Sequence, residues 1–270
     1  MRLISCPCCH PLAAARFSSP PDTGSSGARA RPPSGGKVDP AVLDDLVAAN
    51  LILANEGVLD GYGHVSIRHP EHPERYLISR SIAPATVTRE DIVECTLDSE
   101  LVDPDAPPSY LERFIHGQIY KARPDVNAVV HSHSPTVIPF ANSRTPLRAM
   151  GHVAGFLAGP VPVFDIRQNF GATDMLVKNN EQGQALAETL GDRPVALMRG
   201  HGNVVTGETV KIGVFRAYYT EVNARQQIQA QSLDGPIVYL NEDEGAHCNE
   251  MIAATSERPW QLWKKKIGMA

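Results

Sequence analysis

Two histidines, His131 and His133, close the apolar run NAVVHSHS. In a strand, side chains two apart share a face, so both imidazoles can converge on one ion. His201 stands at the end of another apolar run, in MRGHGNVV, between Gly200 and Gly202. Glycines on both sides let the backbone approach a ligand or turn sharply without steric penalty. Three imidazoles that leave coordination positions open suit a catalytic divalent cation, because substrate has to displace water from it. Glu112, in YLERFIH ahead of the His131 run, is a candidate fourth ligand or acid/base group, against the plainer reading of a solvated helix charge. His116 lies one helical turn on and shares its face, as a hydrogen-bond partner, a substrate contact or a packed histidine.

A second group of residues suits an anion. His64, in GYGHVSIRHP, follows a GxG that can wrap its backbone around a ligand, although the spacing matches no nucleotide-binding fingerprint. Ser79, Arg80 and Ser81 set a guanidinium between two hydroxyls, a combination that suits a carboxylate through paired bonds; an ordinary salt bridge at a strand end is the alternative. Arg68 and Arg167 are lesser candidates for that role. Of Tyr218 and Tyr219, one is read as core packing and the other, Tyr219, as a pocket hydroxyl.

Positioning these groups requires strands alternating with helices. PAVLDDLVAANLILANEG carries apolar residues at helical spacing and ends on Gly57. HVSIRH and RYLISR alternate as strands across the turn PEHPE, and IVECTLDS is a third strand. SYLERFIHGQIYKA reads as a helix leading into the NAVVHSHS strand. VPVFDI and PVALMRGHG are further apolar runs ending in polar residues, while NEQGQALAETLG and the long stretch from Thr209 to Ser232 are helices. The pattern predicts a single α/β domain in α/β/α layers over residues 38–270.

At 270 residues the chain fits one substantial domain, and 42% hydrophobic residues supply a core. No apolar run approaches the length of a membrane span. A net charge of -5 argues against a nucleic-acid partner. Residues 1–37, rich in Ser, Gly and Pro, read as an unstructured tail. Cys6, Cys8, Cys9 and His10 crowd its start, but a zinc reading is set aside because structural zinc needs separated ligands in folded surroundings. No secretory h-region forms, and the cytoplasm is the expected compartment.

Taken together, GHVSIR at 63–68, ERFIHGQIYKARPDVNAVVHSH at 112–133 and MRGHG at 198–202 resemble the class II aldolase/adducin family, from about Val38 to Gln231. The resemblance implies a central mixed, largely antiparallel sheet, zinc-ligand positions at His131, His133 and His201, and an acid/base role for Glu112. It also implies a homotetramer or larger assembly with active sites at subunit boundaries. Two departures separate this chain from the sugar-phosphate aldolases: His64 replaces their Asn, and SRSIAP replaces their phosphate loop. In those features the chain is similar to the aromatic-acid decarboxylases, among them the branch that removes the 4-carboxylate of 3-hydroxy-2-methylpyridine-4,5-dicarboxylate in bacterial vitamin B6 degradation. That branch is the nearer match, and dihydroxyphthalate decarboxylases are similar too.

That resemblance implies a metal-dependent carboxy-lyase for a small aromatic dicarboxylate, working through an enolate-like intermediate. Manganese is the expected ion, with zinc as the alternative. Glu112 is the first candidate for the proton carrier, with His64 and His116 as rivals or relays, and Arg80 would grip a spectator carboxylate. A class II aldolase for a non-phosphorylated hydroxy acid is the second expectation. A non-catalytic scaffold of the adducin type would have no need of this constellation.

Overall fold

A computed structural model describes residues 34–269. Most of the tail expected over residues 1–37, with its cysteine cluster, lies outside the described residues. Of its last part, Ser34 Oγ and the Gly35 N–H both donate to the Glu94 carboxylate, at 3.0 and 2.7 Å.

The first helix, α1 (Pro40–Asn55), is capped by the Asp39 side chain, which accepts from the Ala41 N–H, and has Pro40 in its first turn, where no amide donor is missed. Strands β1 (His64–Arg68), β2 (Arg75–Ser79) and β3 (Ile92–Thr96) follow. Then come α2 (Arg113–Ala122), β4 (Ala128–Ser132), the short α3 (Ile138–Ala141), β5 (Val163–Phe164), the short α4 (Arg167–Phe170) and α5 (Asn180–Leu190). The chain ends with β6 (Val195–Met198), β7 (Gly202–Gly207), α6 (Val210–Gln231), α7 (Glu242–Thr255) and α8 (Glu257–Lys266). Among the described residues no helix is long and apolar enough to cross a membrane.

The strands form one seven-stranded sheet in the order β3-β2-β1-β4-β7-β6-β5. Every neighbouring pair is antiparallel except β5 with β6. Strand alternation sorts side chains onto two faces. In β4, Ala128 and Val130 join a cluster with Leu46, Ile52 and Leu53 of α1 and Val214 and Phe215 of α6. Val129, between them, joins Ile115 and Ile119 of α2 and Leu186 and Leu190 of α5 on the opposite face. Leu46, Ile52 and Leu53 are fully buried, and each such side chain contributes roughly 1.5–3 kcal/mol. The expected α/β/α layering and mixed, largely antiparallel sheet are both present.

The same alternation places His131 on the Val129 side, facing α2. Its register partner across β1 is His64, which together with Ser66 therefore also faces α2. Two elements differ from the sequence expectation. The helix read from residue 109 begins only at Arg113, because Ser109 is held extended in a β-bridge with Arg80. The apolar run of PVALMRGHG is a strand only as far as Met198; Gly200, at φ +69°, turns the chain, and β7, a strand the sequence reading did not single out, returns antiparallel.

Candidate metal centre

Glu112, His131, His133 and His201 each bring one potential ligand atom to a common point, all within 4.8 Å of one another. His131 Nε2 and His133 Nε2 are 3.3 Å apart. Glu112 Oε2 lies 3.3 Å from His201 Nε2 and 3.6 Å from His131 Nε2. The group comes from the end of β4, the β6–β7 turn and the residue entering α2, three separate pieces of chain on one side of the sheet.

Each side chain is aimed by its neighbours. His131 Nδ1 lies 3.2 Å from the main-chain oxygen of Asn203, which can only accept, so Nδ1 carries the proton and Nε2 presents its lone pair to the cluster. The Ser132 hydroxyl donates to the Asn203 side-chain oxygen at 3.0 Å, tying β4 to β7 beside the site. Glu112 Oε1 accepts the Val177 N–H at 3.0 Å, which leaves Oε2 for the cluster. Neither ring nitrogen of the buried His201 has a hydrogen-bond partner among the described residues.

Close backbone approach makes the geometry possible. A Cβ on Gly202 would lie 2.1 Å from the Ser132 oxygen, and one on Gly63, at φ +86°, would lie 2.9 Å from the His131 oxygen. Glycine is required at both places.

Electrostatics fit a cation here. Burial pushes the His131 imidazole below its ordinary range, against the pull of Glu112. Burial, with His131 and His201 beside it, lowers His133 to about 4. Burial alone would raise the Glu112 carboxyl, but the facing His131 and His201 imidazoles outweigh it and hold the group well below the usual carboxylate range. The contact between Glu112 and His131 is therefore not an ion pair at neutral pH. Neutral imidazoles at His131 and His133 beside the Glu112 carboxylate are in the protonation state that metal binding requires.

Beside the cluster lies a cavity of about 490 Å³, lined in part by Tyr62, His64, Tyr110, Leu111, Glu112 and His133. The His64 ring packs against the Tyr110 ring, centroids 4.5 Å apart, and lies 5.1 Å from that of His131. Behind it runs a buried polar chain: His64 Nδ1 is 2.6 Å from His116 Nε2, and His116 Nδ1 is 2.6 Å from Ser66 Oγ. The chain ends with Ser66 Oγ, 2.8 Å from the Tyr120 hydroxyl. His116 thus supports His64 rather than joining the cluster.

The anion-binding residues expected from sequence divide. Ser81 lines the cavity. Ser79 sits one step back, its hydroxyl 2.8 Å from that of Tyr110. Arg80 is not among the lining residues: its Nε donates to Asp91 at 2.6 Å, because the β-bridge to Ser109 turns its side chain toward the Thr88–Asp91 turn, so the plainer salt-bridge reading holds. Tyr219 is likewise absent from the lining. It packs with Phe215 and Trp263 against the core on the opposite face of the sheet, because α6 lies on that side. Arg68 is consumed by the main-chain oxygens of Val126, Pro73, Tyr120 and Arg123, and Arg167 pairs with Asp165. Sequence reasoning missed Tyr110, Asn203, Ser66 and Tyr120. For Ser66 a signal existed, since it alternates with His64 along one strand.

In sequence and in fold the chain is similar to known proteins. The family model for the class II aldolase and adducin N-terminal domain matches residues 44–228. Decarboxylase tropJ of Talaromyces stipitatus is 37% identical over 239 residues, covering 80% of this chain and 90% of that protein. The 3,4-dihydroxyphthalate decarboxylase of Arthrobacter keyseri is 29% identical over 81% of this chain and 91% of its own. In fold, an aldolase II superfamily protein from Pseudomonas syringae superposes with a TM-score of 0.70 at 24% identity, over 86% of this chain and 94% of that one. Decarboxylases are thus among its relatives, and the chain belongs to the class II aldolase and adducin family.

Proposed function

We propose that the protein is a divalent-metal-dependent carboxy-lyase acting on an aromatic acid with a hydroxyl beside the scissile carboxylate. The observation that carries this reading is the convergence of Glu112, His131, His133 and His201 at the edge of a cavity whose other walls include Tyr62, Ile82, Tyr110 and Leu111. Such walls suit a planar ring. His131, His133 and His201 would hold the ion, with Glu112 beside them. When bound, the ion supplies stabilisation of negative charge developing on a substrate oxygen. Manganese is the ion we favour from the resemblance, with zinc as the alternative; the donor set is compatible with either.

The proton is handled by the chain itself. Glu112, a carboxylate, takes the proton of the substrate hydroxyl and returns it to the ring carbon that bears the carboxylate. The carbon–carbon bond then breaks, its electron pair returns through the ring to the oxygen, carbon dioxide leaves, and Glu112 is a carboxylate again. The product retains the negative charge on oxygen until solvent protonates it.

For the substrate itself, the resemblance favours 3-hydroxy-2-methylpyridine-4,5-dicarboxylate, with a dihydroxyphthalate beside it. Among the described residues lining the cavity none is Arg or Lys, so the second carboxylate is the group on which these candidates differ most from a monocarboxylate. Assembly as a homotetramer or larger, with a neighbouring subunit closing the cavity, is also proposed; Tyr62 and Leu111 at its wall are 70% and 64% exposed. Sedimentation tests that point.

Carbon dioxide release tests the reaction, using manganese- and zinc-loaded protein with the pyridine dicarboxylate, 3,4-dihydroxyphthalate and 2-hydroxybenzoate, and His131→Ala as control. Metal-dependent release, lost in the control, is expected from at least one. A carbonyl fragment released from a non-phosphorylated hydroxy acid, without carbon dioxide, would instead identify the aldolase reading.

A further inference from the structure

The hydrogen-bond accounting behind His64 leaves one solution. Among the described residues, the Tyr120 hydroxyl bonds to Ser66 Oγ and to the main chain of Val129, which favours the phenolate and so donates an N–H rather than accepting, and Ser66 Oγ bonds only to Tyr120 and His116 Nδ1. Tyr120 is 1% exposed and Ser66 and His116 are fully buried, so each hydroxyl proton must find an acceptor inside the chain. If Ser66 donated to Tyr120, the proton of Tyr120 would have none. Tyr120 therefore donates to Ser66, and Ser66 donates to His116 Nδ1. Burial holds His116 neutral, at about 3, so its single ring proton sits on Nε2 and is given to His64 Nδ1. His64 then carries its own proton on Nε2. That atom has no partner among the described residues, is absent from the sealed polar atoms, and belongs to a ring that lines the cavity.

We infer that Ser66 and Tyr120 are positioning residues that fix His64 as an N–H donor to the cavity, where it holds an acceptor oxygen of the substrate. The tautomer follows from the buried chain alone; the substrate contact rests on the carboxy-lyase reading. The Tyr110 ring, packed on His64, fixes the direction in which that donor points. A buried donor of this kind selects for ligands that offer an oxygen acceptor and against analogues that lack one.

The test is the ring nitrogen spectrum of His64 in 15N-histidine-labelled, zinc-loaded protein, which is diamagnetic, assigned by its loss in His64→Gln. Expected are a protonated, pyrrole-type Nε2 and an unprotonated, pyridine-type Nδ1, with Nε2 shifting when 2-hydroxybenzoate is added. Ser66→Ala, which removes the donor to His116 Nδ1, should mix the two tautomers and weaken 2-hydroxybenzoate about tenfold, the loss of one hydrogen bond to a charged group. A pyrrole-type Nδ1 in the unsubstituted protein overturns the tautomer assignment, whatever the reaction proves to be. An Nε2 that stays fixed at saturating 2-hydroxybenzoate overturns the substrate contact. Failure of every carbon dioxide assay with the expected tautomer intact would sink the carboxy-lyase reading alone.

Discussion

The Ser134 hydroxyl donates to the Glu221 carboxylate at 2.5 Å, so the loop that leaves the HxH motif is fastened to the middle of α6. Thr136 adds its N–H at 3.1 Å and its hydroxyl to the same carboxylate. Glu221 touches no candidate ligand, yet it fixes where the chain goes directly after His133. Glu221→Ala leaves buried donors unpaired and is expected to destabilise the protein by about 1–3 kcal/mol. It should also weaken metal binding, with Glu221→Gln milder on both counts; denaturant midpoints and chelator competition measure the two effects.

Gly202→Ala is expected to abolish soluble folded protein, since its Cβ would meet the Ser132 main chain at 2.1 Å and neither strand can retreat. Gly151→Ala, where a Cβ meets nothing within 4 Å, is the matched control and should melt like the parent. Soluble yield and thermal melting compare them.

Acid should destabilise the metal-free protein through His116. Its folded pKa, about 3, lies below the ordinary 6.5, so above 6.5 both folded and unfolded chains hold it neutral and it contributes no slope. Below 6.5 the unfolded chain takes up a proton that the folded one refuses, and stability falls until about pH 3. Urea midpoints measured across this window should decline less steeply in His116→Asn than in the parent.

Arg80→Ala is expected to leave KM for a carboxylate substrate unchanged. Its loss should appear as less than about 1 kcal/mol of stability, because the guanidinium is half-exposed and paired with Asp91. A large rise in KM would mean that the pairing opens to admit substrate.

Cys95 should resist thiol reagents in the native protein. Burial pushes its thiol up to about 12, and the reactive thiolate is scarce at neutral pH. Of the two cysteines among the described residues, Cys248, only partly buried, should react before Cys95, which reacts only on unfolding; peptide mapping after brief labelling distinguishes them.

The cluster was legible because its pieces are local. HxH on a strand needs only period-two geometry, and His201 announced itself by its flanking glycines. What the sequence could not give was direction. Arg80 and Tyr219 have the right chemistry, but which way each points is set by partners distant in sequence, Ser109 through a β-bridge and Trp263 across two helices. β7 was hidden for a related reason: GNVVTG holds only two apolar side chains, Val204 and Val205, and it is the antiparallel register against β4 and β6 that makes it a strand. The polar chain from His64 to Tyr120 joins a strand to a helix about fifty positions away, and no spacing rule reaches that far.

The pairing of His64 with His131 across β1 and β4 also constrains how this chain can change its length. One residue inserted between His64 and Ser66 would turn His64 away from α2 and point its neighbour at the cluster instead. Two residues would restore its face. Odd-numbered gaps in this strand should therefore be lethal to the site and even-numbered ones survivable, so that the parity of the segment, more than its composition, marks which variants of this chain keep their chemistry.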